Sequence, residues 1–262
     1  MNSSKENNTN TNDSLKEFPG RGGWRGIDIN CDMGEGIGND DLILPFISSA
    51  NIACGYHAGD VAMMWQTVES AIKHTVAIGA HISFHDRNNF GRSEMQWNGE
   101  EVYDLVSQQL IILQEITSSL DTKIKHVKPH GALYNMSARY ATLAKVIAKA
   151  VKDFDSQLIL YGLSGSHSIR EAKAIGLQTA CEVFADRTYK DDGSLTPRSQ
   201  PNALIEETDK VVAQVVQLIK NGTVTSITGK TFPVIAETIC IHGDGKNAVT
   251  FARAIHTAIT VL

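Results

Sequence analysis

Seven short β-type runs in this chain each end in a polar residue that a hydrophobic core would not select. One ends in Ser164, and the other six end in acids or imidazoles, namely Asp32, His57, His81, His130, Glu182 and His242. Carboxylates beside imidazoles suit general acid–base catalysis, in which one group takes a proton and another returns it. Because polar groups at one end of successive strands form the catalytic pocket of a β/α barrel, the pattern predicts an enzyme.

The candidate site residues fall into two sets. Those predicted to be catalytic are Asp32, His57, His130, Glu182 and His242. Those predicted to bind substrate are Asn30, Asp60, His81, Arg92, Lys128, Asp186, Arg187 and Asp244. The cations of the second set suit a bound carboxylate or phosphate and a developing oxyanion. The general base is either Asp32 or Glu182, and a histidine is the acid or the orienting partner.

The same residue types allow a metal-dependent alternative. Asp32, His57 and His81 can together hold a divalent ion whose bound water acts as the nucleophile, as in an N-deacetylase. The H-x-x-x-H pair His81/His85 stays open as a chelate, because the chain can curl in the loop after the strand. A third alternative is a binding subunit without turnover, whose polar pocket holds a small acid.

Strand–helix alternation is the pattern that must position these residues. Apolar periodicity and capping residues predict helices over Asp60–Ala77, Gly99–Leu120, Ser137–Val151, Asn202–Lys220 and Lys246–Ile259. A hairpin is expected within Gly222–Pro233, just before the last strand. Strands that alternate with helices indicate a mainly parallel sheet.

Period two within the strands decides between an open sheet and a barrel. In the first strand Asp28, Asn30 and Asp32 share one face, and the intervening residues are apolar. An open doubly wound sheet needs two apolar faces, whereas a barrel can have a polar interior. We therefore expect an α/β fold, a single-domain seven-stranded parallel β/α barrel over residues 27–262.

Composition excludes several classes of function. The 262 residues are 42% apolar and 20% charged, with a formal charge of −5, which indicates neither nucleic-acid nor membrane binding. The four cysteines form no CxxC pair and fit buried thiols of a cytoplasmic protein. Residues 1–26, rich in Asn, Ser, Thr and Gly, are expected to form a flexible arm.

Two glycine-containing segments look like nucleotide-binding loops but fail on spacing. Gly34–Gly38 lacks the G-x-G-x-x-G order and includes an acid, which would repel a pyrophosphate. The segment Gly229–Thr231 lacks the earlier glycine of a phosphate loop, because position 224 is valine. The chain is therefore expected to have no nucleotide-binding loop of its own.

Long motifs in this sequence resemble the LamB/YcsF family, whose members are A subunits of the bacterial 5-oxoprolinase. The motifs are NCDMGE at 30–35, SANIACGYHAGD at 49–60, VKPHGALYN at 127–135, EVFADRTY at 182–189 and CIHGD at 240–244. The resemblance runs from about Ile27 to the C-terminus. It implies a seven-stranded β/α barrel related to carbohydrate deacetylases. It also implies ATP-dependent opening of 5-oxo-L-proline to L-glutamate together with subunits B and C.

One loop departs from the family pattern. Where the family usually reads G-A-H-P-G-x-P-D, this chain reads GAHISFHD at 79–86, and the usual G-R-R is GRS at 91–93. His81, Asp86 and Arg92 are retained. With no phosphate loop of its own, this chain is expected to receive a lactam that the partner subunits have activated with ATP. Lys128 and Arg92 would hold its carboxylate or phosphate.

Overall fold

The computed structural model describes residues 27–262, and in that range seven parallel strands close into one barrel. The barrel strands are β1 (Asp28–Met33), β2 (Ser49–Ala53), β3 (Ala77–Ile82), β4 (His126–Pro129), β5 (Ile159–Leu163), β6 (Gln178–Phe184) and β9 (Thr238–Ile241). The last of these pairs with both β1 and β6, which closes the cylinder. The predicted seven-stranded parallel β/α barrel is confirmed. The arm predicted for residues 1–26 lies outside the described residues.

Helices surround the barrel between successive strands. They are α1 (Asp40–Ile43), α2 (Val61–His74), α3 (Gly99–Ser119), α4 (Gly131–Arg139), α5 (Ala141–Phe154), α6 (His167–Ala174), α7 (Thr208–Asn221) and α8 (Ala248–Thr260). The expected hairpin is present as β7 (Thr223–Thr225) and β8 (Thr231–Pro233). Within residues 27–262, no helix combines the length and apolar character needed to cross a bilayer.

Two helix predictions were wrong in their extent. The single helix predicted over Ser137–Val151 is the end of α4 followed by α5, because Tyr140 between them has an extended backbone. The helix predicted from Asn202 begins only at Thr208. Its first residues instead pair with the segment after β6, where Ile205 N donates to the Asp186 carbonyl oxygen at 2.9 Å.

Period two along the strands separates an apolar outer face from a polar interior. Ile29 and Ile239 are fully buried between the sheet and the helices. Asp28 and Asn30 are equally buried but contact polar side chains from across the barrel, namely Tyr161 and Lys128. The four cysteines are all buried and none of them forms a disulfide. The alternation places the polar side chains inside a closed cylinder, where each needs a hydrogen-bond partner.

A hydroxyl-lined floor closes the interior below the site. The Asp28 carboxylate accepts hydrogen bonds from four hydroxyl groups, those of Ser48 at 2.5 Å, Ser49 at 2.7 Å, Thr238 at 2.6 Å and Tyr161 at 3.1 Å. Burial raises the pKa of Asp28, and these hydroxyls partly offset that effect. The four donors satisfy an acid that would otherwise be costly to bury, so the floor is rigid.

Gly79 leaves room for a histidine above this floor. A Cβ at Gly79 would lie 2.0 Å from Nε2 of His126 on the neighbouring strand β4. The His126 ring stacks on Tyr161, with ring centroids 4.2 Å apart. Its Nε2 also lies 2.8 Å from Asn51 Oδ1. A glycine in β3 therefore allows an imidazole to fill the barrel axis and to orient Asn51 in the layer above.

Candidate active site

The polar residues at strand ends converge on one cavity at the carboxyl end of the barrel. Its volume is about 490 Å³, and its lining includes Asp32, His81, Lys128, His130, Arg187 and His242. Parallel strands direct their carboxyl ends to the same rim, which brings together residues far apart in sequence. Two further predicted residues lie behind this lining, because Glu182 contacts Lys128 and His57 stacks on His130.

Lys128 lies at the bottom of the cavity, where its ammonium group contacts two acids and a thiol. Its Nζ lies 2.8 Å from Asp32 Oδ1, 3.0 Å from Glu182 Oε1 and 3.0 Å from Cys240 Sγ. Burial alone would lower the pKa of this lysine, but the charges of Asp32 and Glu182 hold it well above its usual range. Lys128 is therefore an ammonium group that neutralises two buried acids.

Asp32 is held as an ionised carboxylate next to the open cavity. Asn51 donates to its Oδ1 at 2.9 Å, and its Oδ2 lies 3.4 Å from His81 Nε2. Burial would raise the pKa of Asp32, yet the His81 and Lys128 charges bring it well below its usual range. Asp32 can accept a hydrogen bond from a water in the cavity and orient it.

Three histidines and one acid form a compact cluster beside Asp32. His57 stacks on His130 with ring centroids 3.9 Å apart, and His81 stands edge-on to both rings. Glu35 Oε1 lies 3.3 Å from His57 Nε2, 3.7 Å from His130 Nδ1 and 3.9 Å from His81 Nε2. We call Glu35, His57, His81 and His130 the histidine cluster.

Backbone carbonyls fix how two of these rings carry their protons. His81 Nδ1 lies 3.0 Å from the Lys128 carbonyl oxygen, and His130 Nε2 lies 2.9 Å from the Phe90 carbonyl oxygen. A carbonyl can only accept, so each of these nitrogens carries the hydrogen. The remaining nitrogens, His81 Nε2 and His130 Nδ1, face each other at 2.8 Å. In neutral rings both would present lone pairs, which repel unless a proton or a cation lies between them.

The histidine cluster fits a divalent metal ion. Its four ligand atoms all lie within 4.8 Å of one another. Two imidazoles whose other nitrogen is anchored to a backbone carbonyl form a common arrangement for zinc and related metals. Burial, followed by neighbouring histidine charges, lowers the pKa of His57 and of His130 well below the usual range, so both can offer lone pairs.

The predicted metal set of Asp32, His57 and His81 needs correction. Asp32 lies outside the four-donor cluster and groups with Cys240 and His242 instead. The compact group instead contains Glu35 and His130 together with His57 and His81. Burial and the nearby Asp32 charge raise the pKa of Glu35 well above its usual range. Glu35 was passed over in the sequence because it lies in a glycine-rich turn whose spacing indicated only a tight loop.

His242 and Asp186 form a hydrogen-bonded pair on the opposite wall. His242 Nδ1 lies 2.8 Å and 3.1 Å from the two Asp186 carboxylate oxygens, and the His242 backbone N–H also donates to Asp186. Burial would raise the pKa of Asp186, but the charge of His242 lowers it below the usual value. Asp186 was predicted to bind substrate, and in the structure its carboxylate is hydrogen-bonded to His242.

The cavity mouth is rich in cations. Arg92 Nη2 lies 2.5 Å from Asp244 Oδ2, and Arg198 Nη1 lies 3.5 Å from the same oxygen. The Arg187 side chain donates to the carbonyl oxygens of Ala203 at 3.2 Å and Thr196 at 2.6 Å. Three predicted substrate-binding residues, Arg92, Arg187 and Asp244, are thus at the mouth, and Arg198 was not predicted.

The loop after β3, which departs from the family pattern, packs against the histidine cluster. The Gln109 side chain accepts from Ser83 N at 2.9 Å and donates to Ser83 O at 3.0 Å. A Cβ on Gly91, whose φ is +65°, would lie 2.4 Å from Ser83 Oγ and 2.9 Å from His130. The position therefore requires glycine. The chelate considered for the H-x-x-x-H pair His81/His85 is not formed, because His85 is exposed and packs edge-on against Tyr56.

Two other predictions are corrected by the contacts. Asp60 is exposed and caps α2, where its carboxylate accepts from Met63 N at 2.8 Å, so its side chain is occupied outside the cavity. Asn30 lies below the cavity and donates to Glu182 and Thr238. Asn51, which joins Asn30 to Asp32, was missed, although a polar residue at an inward period-two position of β2 was a usable signal.

This chain is similar in sequence to known proteins over most of its length. Residues 27–261 match the LamB/YcsF family. The chain is 52% identical over 238 residues to the A subunit of the 5-oxoprolinase of Bordetella pertussis, covering 89% of this chain and 94% of that protein. It is also 52% identical over 237 residues to the corresponding 5-oxoprolinase subunit of Geobacillus thermodenitrificans, covering 89% and 93%.

A solved structure gives the same result for the fold. The crystal structure of a lactam utilization protein from Thermus thermophilus superposes with a TM-score of 0.83 at 39% sequence identity. The match covers 89% of this chain and 95% of that one. Sequence and fold agree over the whole barrel, and this chain belongs to the LamB/YcsF family.

Proposed function

We propose that this chain is the A subunit of a 5-oxoprolinase and hydrolyses the lactam of 5-oxo-L-proline to L-glutamate. The observation that carries the proposal is one cavity in which ionised Asp32, held by Lys128 at 2.8 Å, faces His242, held by Asp186 at 2.8 Å. Amide hydrolysis needs a group that orients water and a group that protonates the leaving nitrogen. The names of the relatives supply the substrate class.

In the proposed reaction a water bound to Asp32 adds to the former carbonyl carbon of the ATP-activated lactam and gives a proton to that carboxylate. Since the low pKa of Asp32 makes it a weak base, orienting the water is the larger part of its role. The carbon–nitrogen bond then breaks and its electron pair stays on nitrogen, which takes a proton from His242 Nε2. Asp186 is the positioning residue, because it fixes the ring of His242.

The histidine cluster is the proposed site of a divalent cofactor. Glu35, His57, His81 and His130 would hold the ion. When bound there, a divalent ion supplies Lewis-acid polarisation of a carbonyl oxygen. The chain's own contribution is to fix the rings of His81 and His130 through backbone carbonyls and to keep Asp32 beside them. An N-deacetylase would use similar groups. We prefer a lactam as the substrate because the relatives that are 52% identical to this chain are 5-oxoprolinase subunits.

ATP and partner subunits complete the proposal. A five-membered lactam resists water because its amide is resonance-stabilised, so ATP would first phosphorylate the amide oxygen. We assign that step to subunits B and C, since neither glycine-containing segment of this chain has the spacing of a phosphate loop. The four buried cysteines form no disulfide, which fits a reducing compartment, and we therefore propose that the complex works in the cytoplasm.

The test is to assay 5-oxo-L-proline and ATP with the purified chain, with subunits B and C, and with all three. Glutamate and ADP should form together only in the full mixture. Asp32→Asn should abolish glutamate formation, whereas the control Asp209→Asn, on an exposed turn of α7, should not. Full turnover by the chain alone would refute the division of labour, and no glutamate from the full mixture would refute the function.

A further inference from the structure

A long loop between β6 and α7 supplies one wall of the cavity. Residues 185–207 are held by two isolated antiparallel bridges, Arg187 with Leu204 and Tyr189 with Leu195. The Tyr189 hydroxyl oxygen also accepts a hydrogen bond from Phe184 N at 2.7 Å, which ties the loop to the adjoining strand. These contacts hold the loop against the end of β6, where several of its side chains line the cavity.

Three of those side chains are cations. Arg187, Lys190 and Arg198 all line the cavity, and we call them the basic wall. Arg187 is only 5% exposed and is anchored by the Ala203 and Thr196 carbonyl oxygens. Lys190 is anchored through its backbone N–H, which donates to the Ser194 carbonyl oxygen at 2.8 Å. A chain whose formal charge is −5 thus presents a concentrated positive surface inside its cavity.

The carboxylates near the basic wall have other partners. Glu94, which also lines the cavity, pairs with Arg139, and Asp192 accepts a hydrogen bond from Ser194. Asp186 binds His242, and Asp244 is shared between Arg92 and Arg198. Within residues 27–262, neither Arg187 nor Lys190 forms an ion pair with a carboxylate. Burial, followed by the Arg198 charge, lowers the pKa of Arg187, so these two lining cations repel each other. A bound anion is the usual way in which such a cluster is stabilised. The excess positive charge points to an anionic ligand.

We propose that the basic wall binds the phosphoryl group of an O-phosphorylated lactam, while Arg92 and Lys128 serve its carboxylate. This inference rests on the proposed function. A free lactam acid carries one negative charge, and a phosphoryl group adds close to two more. Planar guanidinium groups and a flexible ammonium suit three phosphate oxygens better than they suit a neutral amide. The wall would also bring the activated carbon toward Asp32 and His242.

The reaction that supplies this ligand is a phosphoryl transfer from a nucleoside triphosphate. The bond between the terminal phosphorus and the bridging oxygen breaks, and a bond from that phosphorus to the lactam oxygen forms. The lactam N–H proton passes to solvent, and the nucleoside diphosphate leaves. Hydrolysis in this chain would then consume one water to break the carbon–nitrogen bond and a second water to release inorganic phosphate. Inorganic phosphate is therefore a product and a simple probe for the basic wall.

The experiment is calorimetric titration of the full chain with inorganic phosphate, with 5-oxo-L-proline and with ATP. The double variant Lys190→Gln/Arg198→Gln should weaken phosphate binding about tenfold or more and should change 5-oxo-L-proline binding by less than about twofold. Arg198→Lys should retain part of the phosphate affinity. Lys173→Gln, an exposed change on α6, is the matched control and should bind phosphate as the unaltered chain does.

Three results would overturn the inference. The first is that the unaltered chain does not bind phosphate, and the second is that the double variant binds phosphate equally well. The third is that the unaltered chain binds ATP far more tightly than phosphate and the double variant loses this ATP binding. The last result would make the wall a nucleotide site. If phosphate binding falls as expected while the assembled complex forms no glutamate, the wall stands and the proposed lactam hydrolysis fails. Circular dichroism of each variant confirms that it is folded.

Discussion

His242 and Asp186 lie side by side because of the strand register, although they are 56 residues apart. Strands β6 and β9 pair Glu182 with Thr238 and Phe184 with Cys240. The same offset, continued past the strand ends, brings Asp186 beside His242, and the side chains meet at 2.8 Å. The pair is thus a direct product of a parallel ladder, and its geometry is as rigid as the sheet.

Removing the carboxylate of this pair should reduce turnover more than binding. In Asp186→Asn, the His242 ring loses the anion that orients it and stabilises its protonated form, so kcat of the assembled enzyme should fall by about 10²-fold to 10⁴-fold with little change in KM. His242→Gln should have a comparable effect, and the double variant should add little. An unchanged kcat in Asp186→Asn would exclude the positioning role.

Lys128→Met should strongly destabilise the barrel. The substitution leaves the Asp32 and Glu182 carboxylates buried without their counter-charge, and the free energy of unfolding should fall by about 3–5 kcal/mol. Denaturant unfolding measures the loss. The exposed control Lys173→Met should stay within about 0.5 kcal/mol of the unaltered chain. Adding Asp32→Asn to Lys128→Met should recover part of the loss, and strict additivity of the two changes would contradict the charge pairing.

The histidine cluster should bind one divalent ion per chain. Equilibrium dialysis against zinc, followed by elemental analysis, should give near-stoichiometric metal for the unaltered chain, and His81→Ala or His130→Ala should bind at least about tenfold more weakly. The thermal midpoint of the unaltered chain should rise with added metal and fall with a chelator. His85→Ala, four residues further along but exposed, should bind metal normally. Equal metal content in all four proteins would argue against the cluster.

Acid should destabilise the folded chain through His126. Burial, followed by the Lys128 charge, lowers the pKa of His126 from 6.5 to about 3. Between these values the unfolded chain binds a proton that the folded chain does not, so this group makes stability rise with pH from about 3 to about 6.5 and adds no slope above that. Its slope reaches about 1.4 kcal/mol per pH unit, and the total is about 5 kcal/mol.

The variant His126→Asn isolates this contribution. Denaturant unfolding at pH 4 and at pH 7 should show a smaller difference in stability for the variant than for the unaltered chain. Gln109→Ala removes a buried side chain that does not titrate, and it should lower stability by a similar amount at both values of pH. If His126→Asn keeps the full pH difference, other groups cause the acid sensitivity.

Period two along the strands predicts from the sequence alone which residues face the barrel interior. Asp28, Asn30 and Asp32 alternate with apolar residues, and the structure places all three inside the cylinder. The predictions were wrong where the local sequence pattern does not indicate which side chains lie close together in the folded chain. Asp60 begins a helix with a capping carboxylate, and that local role occupies the side chain. Glu35 lies in a turn without periodicity, and only the pairing of β1 with β2 brings it within 3.3 Å of His57.

The sequence by itself determined the class of fold, the inward face of each strand and the family, because periodicity and motif order are properties of the chain alone. Tertiary structure decided which side chains meet. Strand register paired His242 with Asp186, the loop after β6 carried Arg198 and Lys190 to the cavity, and two backbone carbonyls set the facing nitrogens of His81 and His130. Such contacts depend on distances across a closed sheet, which linear spacing does not contain.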